Sequence, residues 1–286
     1  MLRFLRLRIS QAGSLVFEQV LQGHMVRFSL YSRFAAYCLY KYRLFIGSQF
    51  SLWFRILRLV QFRQLRSLVY VGFRLWLRKI HHVENLPEHG PAIIVCNHTS
   101  YYDWGILSAV YDKKYIVFLA NQDLLRRKFV SWLMRLNILV YINPQKPGYS
   151  YFRDVLRYLQ QGHIVAIYPE GTRSRTGRML RPKVGFVKLA LHTGVPVIPM
   201  GMKGAYEVLP PHKKIPSFRK CEIFVGEPVR ITLDNPAFSD IFYGKKHVKE
   251  VTDVELEKVA IRIMDHIAKM VGQEWEDRLL RRKVRK

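Results

Sequence analysis

The sequence predicts an α/β fold, a sheet flanked by helices, preceded by a basic and aromatic helical region. Three observations lead there. From residue 92 onward, short apolar runs alternate with longer amphipathic stretches, the pattern of strands alternating with helices. Residues 1–80 hold 14 Lys or Arg and a single acid, Glu18, among closely spaced Leu, Phe, Tyr and Trp. Between these two textures lies a turn-forming break at Pro87, Gly90 and Pro91.

The N-terminal region has no run of about 18 uncharged apolar residues, so a spanning helix is disfavoured. A basic residue recurs every three to five positions instead, as in 53–66. Helical periodicity puts Arg55, Arg58 and Arg66 on one side and Phe54, Ile56, Leu57 and Val60 largely away from them. Such a helix suits the headgroup layer of a membrane, apolar face down and arginines toward lipid phosphates. The alternative is an amphipathic helix packed on the protein's own core. The charge bias runs through the whole segment and favours the membrane. Arginines interrupt the first residues where a signal peptide would be apolar, so no such leader is expected.

Beyond the break, Ala92-Ile-Ile-Val-Cys96 reads as a buried strand. Further strands are expected at 115–119, 138–142, 164–168, 195–200 and 221–231. Helices are expected near 104–111, 124–135, 149–161, 183–193 and 252–272, followed by a basic tail from Arg278 to Lys286. Three parts result: a membrane-docking region at 1–80, a catalytic domain at 81–232, and a helical and basic segment at 233–286.

Composition narrows the partners. A hydrophobic fraction of 49% fits a folded globular chain. A net charge of +26 calls for an anionic partner: nucleic acid, anionic lipid or an acidic carrier protein. Cys38, Cys96 and Cys221 form no CxxC pair, and no Cys/His cluster has zinc spacing, so neither a metal site nor a disulfide framework is expected. Cys96 sits within a strand, where a small apolar residue belongs and no base is evident; it reads as packing, not as a nucleophile.

Two segments carry chemistry. The strand at 92–96 runs into Asn97-His98-Thr-Ser-Tyr-Tyr-Asp103, placing a histidine at a strand's C-terminal end, where α/β folds put their sites. Asp103, opening the next helix, can fold back on the imidazole, fix its tautomer and stabilise its charged form. A helix-capping Asp beside a structural His explains the same pair. The strand at 164–168 runs into Pro169-Glu170-Gly171-Thr172-Arg173-Ser174. There Gly171 and Thr172 can present amides, and Arg173 a fork for phosphate. Two such loops, each ending an apolar strand, make coincidence a poor explanation.

Asn97-His98-xxxx-Asp103 together with Glu170-Gly171-Thr172-Arg173-Ser174 resembles the glycerolipid acyltransferase family, which includes the 1-acylglycerol-3-phosphate acyltransferases. Lys183-Val-Gly185, Leu189-Ala190 and Gly194-Val-Pro196-Val-Ile-Pro199 look like that family's downstream stretch, and the likeness covers about residues 81–230. It implies a glycerolipid-acyltransferase-like sheet flanked by helices. It implies transfer of a fatty acyl group from acyl-CoA or acyl carrier protein to the hydroxyl of a lysophospholipid, foremost lysophosphatidic acid giving phosphatidic acid. His98 would be the general base and Asp103 its support, with direct attack and no acyl-enzyme. Asn97, Glu170, Gly171, Thr172, Arg173, Ser174 and Lys183 would shape the acceptor side, with Arg173 near a phosphate. Pro196 and Pro199 would pack the acyl-donor side. The sequence does not identify the oxyanion donors; the amides of Gly171 and Thr172 are the candidates. No metal or other cofactor is implied.

The chain departs from the family twice. Tyr141-Ile142-Asn143-Pro144 stands where the family often has a Phe-Ile-Asp-Arg-like tetrad, and Ala120-Asn121-Gln122-Asp123-Leu124 where it often has an Ala-Lys-x-Glu-Leu-like segment. Both remove positive charge from the side expected to face phosphate. Arg126, Arg127, Lys146 or Arg153 are possible replacements; otherwise the acceptor is a different lysolipid, such as a lysophospholipid with a larger head group or an amino-acid lysolipid. A nucleic-acid-binding protein is the distant alternative, and a membrane scaffold with a relic site another. The basic residues are densest where apolar residues are densest, which suits anionic lipid on the cytoplasmic face of the inner or plasma membrane better than nucleic acid.

Overall fold

The computed structural model describes residues 64–88, 90–111, 116–122, 134, 137–142 and 149–276. The expectations for 1–63, for nearly all of the helix at 124–135, for Asp123, Leu124, Arg126, Arg127, Asn143, Pro144 and Lys146, and for the tail from Arg278 lie outside these residues. Residues Phe62–Lys286 form one compact unit.

Residues 64–74 are helical. Then follow β1 (Leu77–His81), β2 (Ala92–Cys96), α1 (Asp103–Val110), β3 (Ile116–Asn121), β4 (Ile138–Ile142), α2 (Tyr149–Gln160) and β5 (Ile164–Ile167). The unit continues with α3 (Gly185–Thr193), β6 (Val197–Lys203), the short α4 (Ala205–Val208), β7 (Cys221–Val225) and α5 (Asp253–Val271). The strands form one sheet in the order β1-β7-β6-β2-β5-β3-β4. From β6 to β4 all neighbours are parallel, whereas β7 runs antiparallel to β6.

The middle of the sheet is what the apolar runs demand. Every residue of β2 and of β5 is buried, because parallel strands covered by helices on both faces have no wet side. Val95 of β2 pairs with Ile167 of β5, and also with Pro199 of β6. The loops leaving β2 and β5 therefore emerge side by side at the C-terminal edge of the sheet.

Most expected elements stand within three residues of their predicted ends. Two elements and one side chain differ. β1 lies in the stretch assigned to the helical N-terminal region; it is an edge strand with a mixed burial pattern and carries Arg78 and Lys79, so no clean alternation marks it. β7 ends at Val225 and not at 231, where Gly226-Glu227-Pro228 interrupts the ladder. Arg66, expected to face lipid phosphates, is buried with its guanidinium 5.2 Å from the centre of the Tyr70 ring.

The helical residues 64–74 dock on α1 by close approach. A Cβ on Gly105 would lie 2.3 Å from the Phe73 ring, so only glycine admits that ring. Phe73 makes edge contacts with Tyr102 and Trp104 at centroid distances of 5.1 and 5.3 Å. The helical segment from 233 onward shares the central core. α5 opens with a capping box, in which Thr252 accepts from the Glu255 amide and Glu255 accepts from the Thr252 amide. Its apolar stripe, including Val259, Ile263, Met264 and Ile267, packs in one cluster with Ile93, Val165 and Val197 of the sheet.

Candidate active site

Two loops and the C-terminal segment build the site. At the end of β2, His98 Nδ1 lies 2.8 Å from Asp103 Oδ2. The same oxygen accepts from the amides of Thr99 at 2.8 Å and Ser100 at 2.9 Å. Asp103 is the first residue of α1 and is fully buried, so the helix N-terminus adds to the field favouring its charge. With Nδ1 facing a carboxylate, the imidazole proton belongs on Nδ1 and Nε2 is left as the acceptor. The His98 side chain is 21% exposed, which gives that nitrogen access from outside. One face of the ring stacks on Tyr168, with centroids 4.3 Å apart. Sequence reasoning missed Tyr168 as a site residue; a tyrosine closing an apolar run carries no sign of the ring it will meet.

Glu170 joins the two loops. Its Oε1 accepts from the His98 amide at 2.7 Å and its Oε2 from the Leu180 amide at 2.9 Å. The His98 carbonyl in turn accepts from the Ser174 amide at 2.9 Å. Burial pushes the Glu170 carboxyl up to about 8, against the pull of the two amides. A carboxyl whose folded pKa lies above its ordinary 4.5 stabilises the fold fully below that value, and the contribution is lost as pH rises toward 8. Glu170→Gln leaves one buried amide facing an amide donor and is expected to destabilise by about 1–3 kcal/mol. It is also expected to flatten the fall of Tm that the unaltered chain shows between about pH 5 and about pH 8. Parallel Tm curves for the two proteins would show that Glu170 does not titrate in that window.

Asn97 secures the base of the catalytic loop. It donates to the Met202 carbonyl at 3.0 Å and to Gln273 Oε1 at 2.9 Å, and accepts from the Met202 amide at 2.8 Å. Gln273 also donates to the Gly177 carbonyl, and Met179 and Trp275 form a parallel bridge. The residues just after α5 thus brace both loops, a role no local pattern announces.

The residues expected on the acceptor side divide into two groups. Asn97, Glu170 and Ser174 are buried, and the bonds just described tie them to the surrounding backbone; they position the loops. Gly171, Thr172 and Lys183 are exposed and Arg173 is half-buried. Gly171 has φ +69°, and the Lys183 ammonium lies across it, 2.8 Å from where a Cβ would stand. Arg173 stacks on Tyr101, its guanidinium carbon 3.3 Å from the ring centre. Its Nη1 is buried with no hydrogen-bond partner among the described residues. The Gly171 amide, one of the two oxyanion candidates, is taken: it donates to the Tyr168 carbonyl at 3.0 Å.

Pro196 and Pro199 are not beside His98. The Pro196 carbonyl receives the Ile93 amide, five residues upstream of His98 and so roughly 17 Å away along an extended strand. Pro199 is buried in β6, opposite Val95. Pro196 is half-buried just before β6, and Pro199 lies within that strand. Cys96 is fully buried, and burial, then the charges of Asp103 and Glu170, push its thiol well up, so it is no thiolate nucleophile.

A largely parallel sheet with an Asp–His pair at the C-terminal end of one strand and a cationic loop at the end of its neighbour is the arrangement of an α/β group-transfer enzyme. Residues 78–203 match the family model described as Acyltransferase. That stretch is an acyltransferase domain similar to those of the glycerolipid acyltransferases. The chain is 26% identical over 151 residues to the 1-acyl-sn-glycerol-3-phosphate acyltransferase of Bacillus subtilis, covering 53% of this chain and 73% of that protein. It is 29% identical over 136 residues to the protein of that name from Borreliella burgdorferi, covering 46% of this chain and 54% of that protein. With the mouse 1-acyl-sn-glycerol-3-phosphate acyltransferase alpha it shares 30% identity over 178 residues, 59% of this chain and 61% of that protein. The chain thus spans less than two thirds of the last two. The crystal structure of the 1-acyl-sn-glycerophosphate acyltransferase PlsC from Thermotoga maritima has the same fold, with a TM-score of 0.55 over 75% of this chain and 81% of that one, at 23% identity.

Proposed function

We propose that this enzyme transfers a fatty acyl group from acyl-CoA or acyl carrier protein to the free hydroxyl of 1-acyl-sn-glycerol-3-phosphate, giving phosphatidic acid, as a peripheral protein on the cytoplasmic face of a membrane. The observation that carries the reading is the His98–Asp103 pair, with Nδ1 committed to the carboxylate and Nε2 left to accept a proton. His98 Nε2 takes the hydroxyl proton as the oxygen attacks the thioester carbonyl. The carbon–sulfur bond then breaks, and the imidazolium returns the proton to the leaving thiolate. Asp103 holds the tautomer and stabilises the imidazolium.

Arg173 and Lys183 supply the acceptor's phosphate site. A half-buried guanidinium held flat on Tyr101, with an unsatisfied N–H, is preset for a charge-assisted bond to an anion. The named relatives act on this acceptor, which supports the choice. The basic chain favours a donor bearing phosphopantetheine. Among the described residues no helix is long and apolar enough to cross a membrane, in keeping with peripheral attachment.

A second reading keeps the chemistry and changes the acceptor. It rests on Asn121, which ends β3 where the family often has lysine. The test supplies radiolabelled acyl-CoA, then the carrier-protein thioester, against a panel of lysolipids. Transfer to lysophosphatidic acid is expected. Transfer solely to another lysolipid would move the assignment to that acceptor, and no transfer to any would overturn the reaction class.

A further inference from the structure

We propose that residues 212–220, between α4 and β7, form a membrane-docking loop that seats Ile215 and Phe218 among the acyl chains of an anionic lipid surface beside the active site. The loop reads His212-Lys-Lys-Ile215-Pro-Ser-Phe218-Arg-Lys220: two apolar side chains among four cations and no acid. Phe218 is 95% exposed and Ile215 79% exposed. A solvated loop gains nothing by presenting a bare phenyl ring to water, and the ring has no core partner among the described residues. Apolar side chains ringed by Lys and Arg match the interface of an anionic bilayer, with hydrocarbon below and phosphates around. That pairing of apolar tip and cationic collar selects lipid over a second copy of this chain, whose net charge of +26 would repel the collar.

The loop is held in shape, so its apolar tips are displayed and not free to fold inward. The Ser217 amide donates to the Val208 carbonyl at 2.8 Å, and Ser217 Oγ to the Glu207 carbonyl at 2.6 Å. Trp76 Nε1 donates to the Ser217 carbonyl at 2.7 Å, and the Lys220 ammonium to the Leu75 carbonyl. These bonds join the loop to residues 64–76, where Leu68, Val71 and Leu75 are also exposed at helical spacing. The chain entering the loop lies against the segment after β2: the carbonyl of Leu209, three residues before the loop, accepts from Ser100 Oγ at 2.8 Å, two residues from His98. A lipid leaving the bilayer at this loop would enter beside the proposed base. The inference rests on the lipid-acceptor reading and adds where the lipid surface lies.

The test uses the full chain with Cys38→Ser and a single introduced thiol, either Phe218→Cys or Glu227→Cys, labelled with an environment-sensitive fluorophore; Cys96 and Cys221 are buried. Glu227 is exposed beyond the opposite end of β7 and serves as control. With vesicles of phosphatidylcholine and phosphatidylglycerol, the probe at 218 is expected to shift to the blue and brighten several-fold. The response should weaken with pure phosphatidylcholine or high salt and be absent at 227. The pair Ile215→Ser and Phe218→Ser is expected to lower transfer to a vesicle-embedded acceptor ~10-fold or more while leaving transfer to a monomeric short-chain acceptor unchanged. No response at 218 from protein that floats with the vesicles would overturn the docking loop, as would failure to float at all. A concentration-dependent blue shift without lipid would assign the patch to self-association instead. A blue shift at 218 in a protein that transfers no acyl group would sink the enzymatic reading and leave the loop.

Discussion

Replacing His98 with alanine is expected to lower kcat by ~10⁴, the upper end of what a positioned general base contributes. The reason lies in the pairing. A water in place of the imidazole is no anchored acceptor for the hydroxyl proton, and Asp103, fully buried behind it, cannot reach the substrate. The fold should survive, because the loop is held by the His98 backbone: its amide donates to Glu170 and its carbonyl accepts from Ser174. KM for the acceptor is therefore expected to stay within a few-fold. Single-turnover transfer of labelled acyl groups measures this directly. A variant that keeps more than about a tenth of the rate would remove His98 from the reaction.

Asp103→Asn tests a different link. Asparagine can still accept the Thr99 and Ser100 amides through its carbonyl oxygen, so the turn opening α1 is kept. The same oxygen position faces His98 Nδ1, so Nδ1 keeps an acceptor and the ring its tautomer, while the amide nitrogen takes the place of Oδ1, which has no hydrogen-bond partner among the described residues. What is lost is the negative charge that stabilises the imidazolium. A drop in kcat of ~10²–10⁴ with little change in KM or Tm is expected. If the loss instead appears as a lowered Tm with kcat per folded molecule preserved, Asp103 is a helix-opening residue and no more. The pair acts as one unit, so the double variant should be barely slower than His98→Ala alone.

The chemistry was legible in the sequence because its parts are local. His98 and Asp103 are five residues apart on one turn, and the geometry between them is set by a strand ending and a helix starting. The strand cores at 92–96 and 164–167 were legible for a related reason: buried parallel strands must be apolar on both faces, which gives short unbroken apolar runs. β1 was not, since an edge strand with one wet face and basic residues looks like the amphipathic helix before it. The roles of Asn97 and Glu170 were legible as positions but not as functions. Beside a histidine each reads as a substrate contact, whereas each proves to be a buried anchor for backbone amides.

The sequence by itself determined the class of fold, the position of the His98–Asp103 pair and the sign of the net charge. Each follows from short-range rules: burial periodicity, strand-end chemistry and a count of charged groups. Only the tertiary structure decided that the loops after β2 and β5 lie side by side, since that depends on which strands pair. It alone placed Tyr168 against the His98 ring and Gln273 under Asn97. It also set Pro199 opposite Val95 and left Ile215 and Phe218 in solvent. Those are contacts between distant segments, fixed by the packing of the whole core, and no local pattern of residues encodes them.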